Sequence, residues 1–260
     1  MLLRLHRLVL RTSSALLGAN FDFATGALTI DTIGNRVYEL KTVLADFNGD
    51  GKLDLAVPEQ DGISVFSNNG AGGFSPGAFY PTKGSAAFGI GLISADFNND
   101  GKVDLATTPN LASSGLVAED NSFVNQYLGN RSPLTVFLNT SSGGVVSFSG
   151  QSVSGLTAIN ELNGRIAAAD FNGDGNTDLA VLDGGLHSTD FSILEGDGKG
   201  GFGGPRIYTG YTDSADPYVS GFTRTLMGMA VADIDNNGQA DVAVFANNIP
   251  GIDRKSGLNN

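Results

Sequence analysis

The 260 residues leave room for one domain or two, and a hydrophobic content of 41% is enough for a buried core. Thirty-seven Gly with few Lys or Glu favour short strands and tight turns over long helices. A net charge of −12 with no basic stripe argues against a nucleic-acid partner, no apolar run approaches the ~20 residues of a membrane span, and the absence of Cys removes disulfide and thiolate chemistry.

Residues 1–18 mix Leu with Arg, and Arg4, Arg7 and Arg11 interrupt the apolar run of ~7–15 residues that a secretory signal needs. A frayed helix or the remnant of a longer chain is expected there, with a degenerate signal as the alternative. Phe21 to Ile33 reads as a strand pair, or as a single outer strand turning at Gly26. Tyr38–Ala45, Leu53–Val57, Gly62–Ser67 and Phe74–Tyr80 then read as strands, being short apolar runs bounded by turn residues. Further on, Leu134–Asn139, Phe191–Leu194, Met227–Ala232 and Ala240–Ala246 read the same way, before a polar tail.

Between the first two of these strands, Asp46, Asn48, Asp50 and Asp54 crowd four oxygen-bearing side chains into nine residues. Like charges at that spacing repel, and a hard dication with six to eight oxygen ligands relieves them. Asp-x-Asn-x-Asp-Gly opens a calcium loop, with Gly51 at the sharp turn and Lys52 offering its backbone carbonyl rather than its ammonium group. An EF-hand is excluded: position 12 is Val57 instead of Glu, the last carboxylate is Asp54 at position 9, and the flanks are strands.

The unit returns three times. Asp96, Asn98, Asp100, Lys102 and Asp104 form the second set, Asp170, Asn172, Asp174, Asn176 and Asp178 the third, and Asp233, Asp235, Asn237, Gln239 and Asp241 the fourth. The fourth exchanges Asp and Asn at positions 3 and 5, which keeps the carboxylate count. First positions fall 50, 74 and 63 residues apart, the scale of a blade or solenoid repeat. Three Asp in each of four loops equal the whole negative excess, so four dications would cancel two-thirds of it.

These units resemble FG-GAP/VCBS repeats, the calcium-loop blades of integrin-α-type β-propellers, over nearly all of residues 20–246. The resemblance implies an all-β propeller of four-stranded blades, with Ca²⁺, about four ions, held between the first and second strand of each. Residues 19–260 would carry blades at about 38–81, 88–151 and 164–209 and a partial one at 226–246. Gly72-Gly73-Phe74 and Gly200-Gly201-Phe202 fit the same pattern after the third strand. Either the N-terminal strand completes the fourth blade and closes a small ring, or the chain is a fragment of a larger one, about seven-bladed in the family. The second is favoured.

Loop alternation in an up-and-down blade puts the metal loops on one face and the loops between strands two and three, and between blades, on the other. The long stretches there, Pro109 to Pro133 with Phe123, Tyr127 and Arg131, and Gly210 to Arg224 with Tyr211, Tyr218 and Phe222, are the expected ligand face, against the bland reading of ordinary long loops. Gly196 to Gly201 satisfies G-x-G-x-x-G but precedes a strand, so a hairpin is expected rather than a dinucleotide site. His6 and His187 have no ligand spacing, and no Gly-x-Ser-x-Gly elbow with triad partners appears. Carboxylates that recur in every repeat suit metal better than a glycosidase pair, which would occur once. The expectation is a calcium-binding extracellular or cell-surface module that binds a protein or glycan and is not an enzyme. The alternatives are the propeller part of a polysaccharide- or lipid-cleaving enzyme, or a structural spacer.

Overall fold

The computed structural model describes residues 9–11, 16–22, 27–31, 37–59, 62–82, 88–110, 134–153, 162–183, 191–208 and 224–248. Every regular element among them is a β-strand. Four sheets are four-stranded antiparallel meanders: β1 to β4 (Val9–Arg11, Leu16–Asp22, Ala27–Asp31, Val37–Lys41); β5 to β8 (Val43–Ala45, Asp54–Glu59, Gly62–Phe66, Ala78–Pro81); β9 to β12 (Phe88–Ala95, Asp104–Asn110, Thr135–Asn139, Phe148–Ser152); and β13 to β16 (Leu162–Ala169, Asp178–Asp183, Phe191–Leu194, Arg206–Tyr208). A fifth sheet pairs β17 (Arg224–Ala232) with β18 (Asp241–Asn248). The first strands of successive sheets, β5, β9, β13 and β17, lie beside one another. This is an all-β chain built from propeller blades.

Burial on both faces explains the composition of the strands. In β10 Leu105 points toward the β5–β8 sheet and Ala106 toward the β13–β16 sheet. In β11 Phe137 and Val136 divide in the same way. Successive residues of a strand face opposite sides, so an inner blade needs apolar side chains at every position rather than at alternate ones. One core thus fills the space between the second and third sheets around Val43, Phe47, Ile63, Leu92 and Phe148. Another fills the space between the third and fourth around Phe97, Leu134, Ile166, Leu179 and Leu194.

The N-terminal region differs from expectation. Residues 9–11 and 16–18 are strand rather than frayed helix, because β1 and β2 satisfy their backbone groups against each other, with Val9 opposite Gly18. Phe21 to Ile33 is indeed a strand pair, β2 with β3, but it forms the middle of a four-stranded sheet rather than its outer edge. The run Tyr38–Ala45 is not one strand. Val37–Lys41 pairs with β3 in the first sheet, and past Thr42 Val43–Ala45 pairs with β6 in the second, so the ladder changes partner mid-run. The N-terminal strands therefore pair among themselves and do not complete the sheet of β17 and β18.

Candidate metal centres

All four acidic loops join the first two strands of a sheet in one register. Ala45 pairs with Asp54, Ala95 with Asp104, Ala169 with Asp178, and Ala232 with Asp241. The residue before position 1 always faces position 9, which fixes the span that the loop must close. Two left-handed residues close it. Position 6 is Gly51, Gly101, Gly175 and Gly238, at φ between 80° and 88°. Position 4 is also left-handed and alternates Gly49, Asn99, Gly173 and Asn236, Asn being the non-Gly residue that tolerates this region.

Within each loop the acidic side chains receive backbone N–H groups. Asp46 Oδ1 accepts from Gly49 and Asp50 at 2.8 and 3.1 Å, and Oδ2 from Gly51 at 2.8 Å. Asn48 Oδ1 accepts from Asp50 at 3.0 Å, and Asp50 Oδ1 from Lys52 at 2.9 Å. The pattern recurs. Gly101 donates to Asp96, Gly175 to Asp170 and Gly238 to Asp233, each at 2.8 or 2.9 Å. Asn98, Asp100, Asn172, Asp174, Asp235 and Asn237 each accept from the N–H two residues on. These bonds aim the oxygens; Asp46 Oδ1 and Asp170 Oδ1 each accept twice, while most of the others accept once and keep a lone pair that could ligate.

Position 9 does a second job that the sequence did not announce. Asp54, Asp104 and Asp178 are fully buried. One oxygen accepts from the loop (Phe47, Phe97, Phe171) and the other from the end of the third strand or just past it: Asn68 at 2.8 Å, Asn139 at 2.7 Å, Gly196 at 2.7 Å. Burial pushes all three carboxyls above the usual carboxylate range, against the lowering effect of those hydrogen bonds. Asp241 is different. Its Oδ2 accepts from Ile234 and Asp235, and no described third strand adds a donor. Among the described residues, only Asp233, Asp235 and Asp241 bring three carboxylate oxygens within 4.8 Å of one another.

The cationic surroundings of the loops also differ. The Lys52 ammonium lies 3.0 Å from Asp50 Oδ2, and this contact is first among the causes holding the Asp50 carboxyl below its usual range. Lys102, at the same loop position, donates instead to the Ser141 carbonyl at 3.0 Å. In the third loop Asp174 is lowered chiefly by the Asn176 N–H.

Position 2 links blade to blade. Phe47 meets Phe148 edge-on at 5.4 Å, and its carbonyl accepts from Asn139 Nδ2 at 3.0 Å. Phe97 meets Phe202 at 5.7 Å, and its carbonyl accepts from the Gly200 N–H at 3.0 Å. The Gly196–Gly201 stretch is thus a hairpin between β15 and β16, with Gly196 bridged to Phe202. Gly200 suits this turn because its φ of 85° strains any side-chain-bearing residue, and a Cβ there would also press on Leu138 Cδ2 of the neighbouring sheet. The loops themselves touch, Asn99 Nδ2 donating to Asn176 Oδ1 at 2.9 Å. Tyr127, Arg131, Tyr211 and Tyr218, expected on the ligand face, lie outside the described residues, as do Phe123, Phe222, His6 and His187.

Four-stranded blades, three of them with an oxygen-lined loop between the first two strands and the same loop again between β17 and β18, define a repeat protein of the propeller type. The FG-GAP-like repeat profile matches residues 46–107 and 170–244, more than half of the sequence, and the chain belongs to that family. A search of curated proteins finds no match. Among solved structures, the chain is similar to an Agrocybe aegerita lectin described for specific recognition of non-reducing terminal N-acetylglucosamine (17% identity, TM-score 0.47, covering 84% of this chain and 55% of the lectin). It is also similar to rhamnogalacturonan lyase YesW (15% identity, TM-score 0.38, covering 84% of this chain and 43% of the lyase). The chain spans about half the length of these two structures.

Proposed function

We propose that the chain is an extracellular calcium-binding module that presents a protein- or glycan-binding face on a scaffold of blades. The observation that carries the calcium reading is the convergence of Asp233, Asp235 and Asp241 within 4.8 Å, in a loop whose design recurs three more times. The donor set is oxygen only, which suits a hard cation, and the span of two strands in fixed register suits the flexible coordination of Ca²⁺ better than the strict octahedron of Mg²⁺.

The donors of the first loop are the side chains of Asp46, Asn48, Asp50 and Asp54 with the Lys52 carbonyl, and each later loop uses the equivalent positions. When bound, Ca²⁺ supplies the positive charge that neutralises the loop. The chain's own residues do the rest: the N–H groups of Gly51, Gly101, Gly175 and Gly238 hold the first carboxylate in place. Asp54, Asp104 and Asp178 carry the order of the loop into the third strand. Affinities of ~10⁻⁴–10⁻³ M, common in extracellular modules, suit loops this exposed, and a calcium-rich exterior is the setting in which such loops would fill. The proposed ligand face is the opposite end of the blades, with Tyr127, Arg131, Tyr211 and Tyr218 as anchors. No catalytic step is part of this reading.

Calorimetric titration with Ca²⁺ tests it. About four ions per chain, with Mg²⁺ failing to compete at equal concentration, is the expected result; no heat and no bound ion overturns it. Binding of glycans and proteins to the intact chain, lost on alanine substitution at Tyr127, Tyr211 and Tyr218, tests the ligand face separately.

A further inference from the structure

The first and second loops have the same donors at positions 1, 3, 5, 7 and 9, Asp46-Asn48-Asp50-Lys52-Asp54 against Asp96-Asn98-Asp100-Lys102-Asp104. Their lysines are placed differently. Lys52 Nζ sits 3.0 Å from Asp50 Oδ2, an oxygen that also accepts from Asn48 Nδ2 at 3.4 Å. Lys102 Nζ turns away to the Ser141 carbonyl.

The segment after the third strand makes the difference. In the second sheet it is a wide hairpin in which Gly70, at φ 72°, lies under the Lys52 stem; a Cβ at Gly70 would stand 2.8 Å from Lys52 Cε. In the third sheet it is the tight turn Ser142–Val145, whose preceding residue Ser141 presents a carbonyl to Lys102. One lysine is therefore laid across a bare glycine onto its own loop, while the other is drawn off. The third and fourth loops carry Asn176 and Gln239 at this position and bring no ammonium.

We propose that Lys52 is a built-in counter-cation of the first loop, competing with calcium for Asp50, so that this loop fills at higher calcium than the second despite an identical donor set. The inference rests on the calcium reading given above and adds to it a graded response. An ion entering the first loop must displace the ammonium, and Lys52 then swings into solvent. Over a span of calcium concentrations the loop of the β5 to β8 blade would remain empty while that of the β9 to β12 blade is already filled.

Amide spectra of the ¹⁵N-labelled full chain read each loop separately through Gly51, Gly101, Gly175 and Gly238. In the unmodified protein the calcium midpoint of Gly51 is expected above that of Gly101. Lys52→Gln should lower the Gly51 midpoint about three- to fivefold, the range of an exposed ion pair, and leave the other three in place. Lys102→Gln removes the same formal charge but should leave Gly101 unmoved. The proposal is overturned if Lys52→Gln leaves the Gly51 midpoint unchanged, or if Lys102→Gln lowers that of Gly101 by as much. Four glycines indifferent to calcium in every variant would overturn the calcium reading itself, and this proposal with it.

Discussion

The backbone N–H of Asn139 donates to Asp104 Oδ1 at 2.7 Å across 35 residues, while Oδ2 of the same carboxylate accepts from Phe97 at 2.9 Å. The acidic loop and the far end of the third strand are thus joined through one buried side chain before any ion is considered. Asp104→Asn turns an acceptor into a donor facing an N–H and should cost about 1–3 kcal/mol already in EDTA, and more in calcium. Asp241→Asn, at a carboxylate with no third-strand partner among the described residues, should fall within about 0.5 kcal/mol in EDTA and act only through calcium. Urea denaturation of both variants in both buffers checks the contrast.

Position 2 separates in the same way. Phe97, 1% exposed and packed on Phe202, should lose about 3–5 kcal/mol on substitution by Ala. Ile234 occupies the same loop position at 60% exposure, and Ile234→Ala should change stability by no more than about 0.5 kcal/mol. Equal losses at the two sites would mean that position 2 serves the loop rather than the neighbouring blade.

The left-handed residues give a third test. A Cβ on Gly238 meets nothing within 4 Å, so Gly238→Ala, at φ 88°, is opposed by its backbone alone and should cost about 1–2 kcal/mol. Asn236 already tolerates φ 59°, and Asn236→Gly should move the urea midpoint little.

Acidity should act in two directions. Asp54, Asp104 and Asp178 have raised carboxyl pKa values in the folded chain, so in EDTA their contribution is fully present below the unfolded pKa and is lost as pH rises through the folded one. Asp50 and Asp174 are lowered; their contribution holds above the unfolded pKa and is lost as pH falls through the folded one. Calcium needs ionised ligands, so the gap in melting temperature between calcium and EDTA should narrow as pH falls through the raised carboxyl range. A gap that stays constant until the fold is lost in acid would contradict ligation by the three raised carboxylates.

Much of this was legible in the sequence because the chemistry is local. Asp-x-Asn-x-Asp-Gly with Asp at position 9 gave the loops, the flanking strands and the hairpins at Gly73 and Gly201. The second duty of Asp54, Asp104 and Asp178 was not, since their partners lie 14, 35 and 18 residues downstream, an interval that varies with loop length. Asn68, just past a third strand, and Asn139, at the end of one, were the available signal. The first sheet escaped notice because no acidic loop marks it, and nothing within Tyr38–Ala45 announces that its two halves pair with different strands. Lys52 and Lys102 are alike in sequence; only the hairpins beside them set them apart.

The most direct test of the account is a thermal melt followed by circular dichroism, first in EDTA and then with calcium restored in steps. Calcium-built blades predict a melting temperature that climbs with calcium concentration, as mass action requires for an ion bound only by the folded chain, and that returns to its starting point when EDTA is added back. A melt unmoved between EDTA and millimolar calcium would show that the loops are held by their own N–H groups alone, and the calcium reading would be wrong.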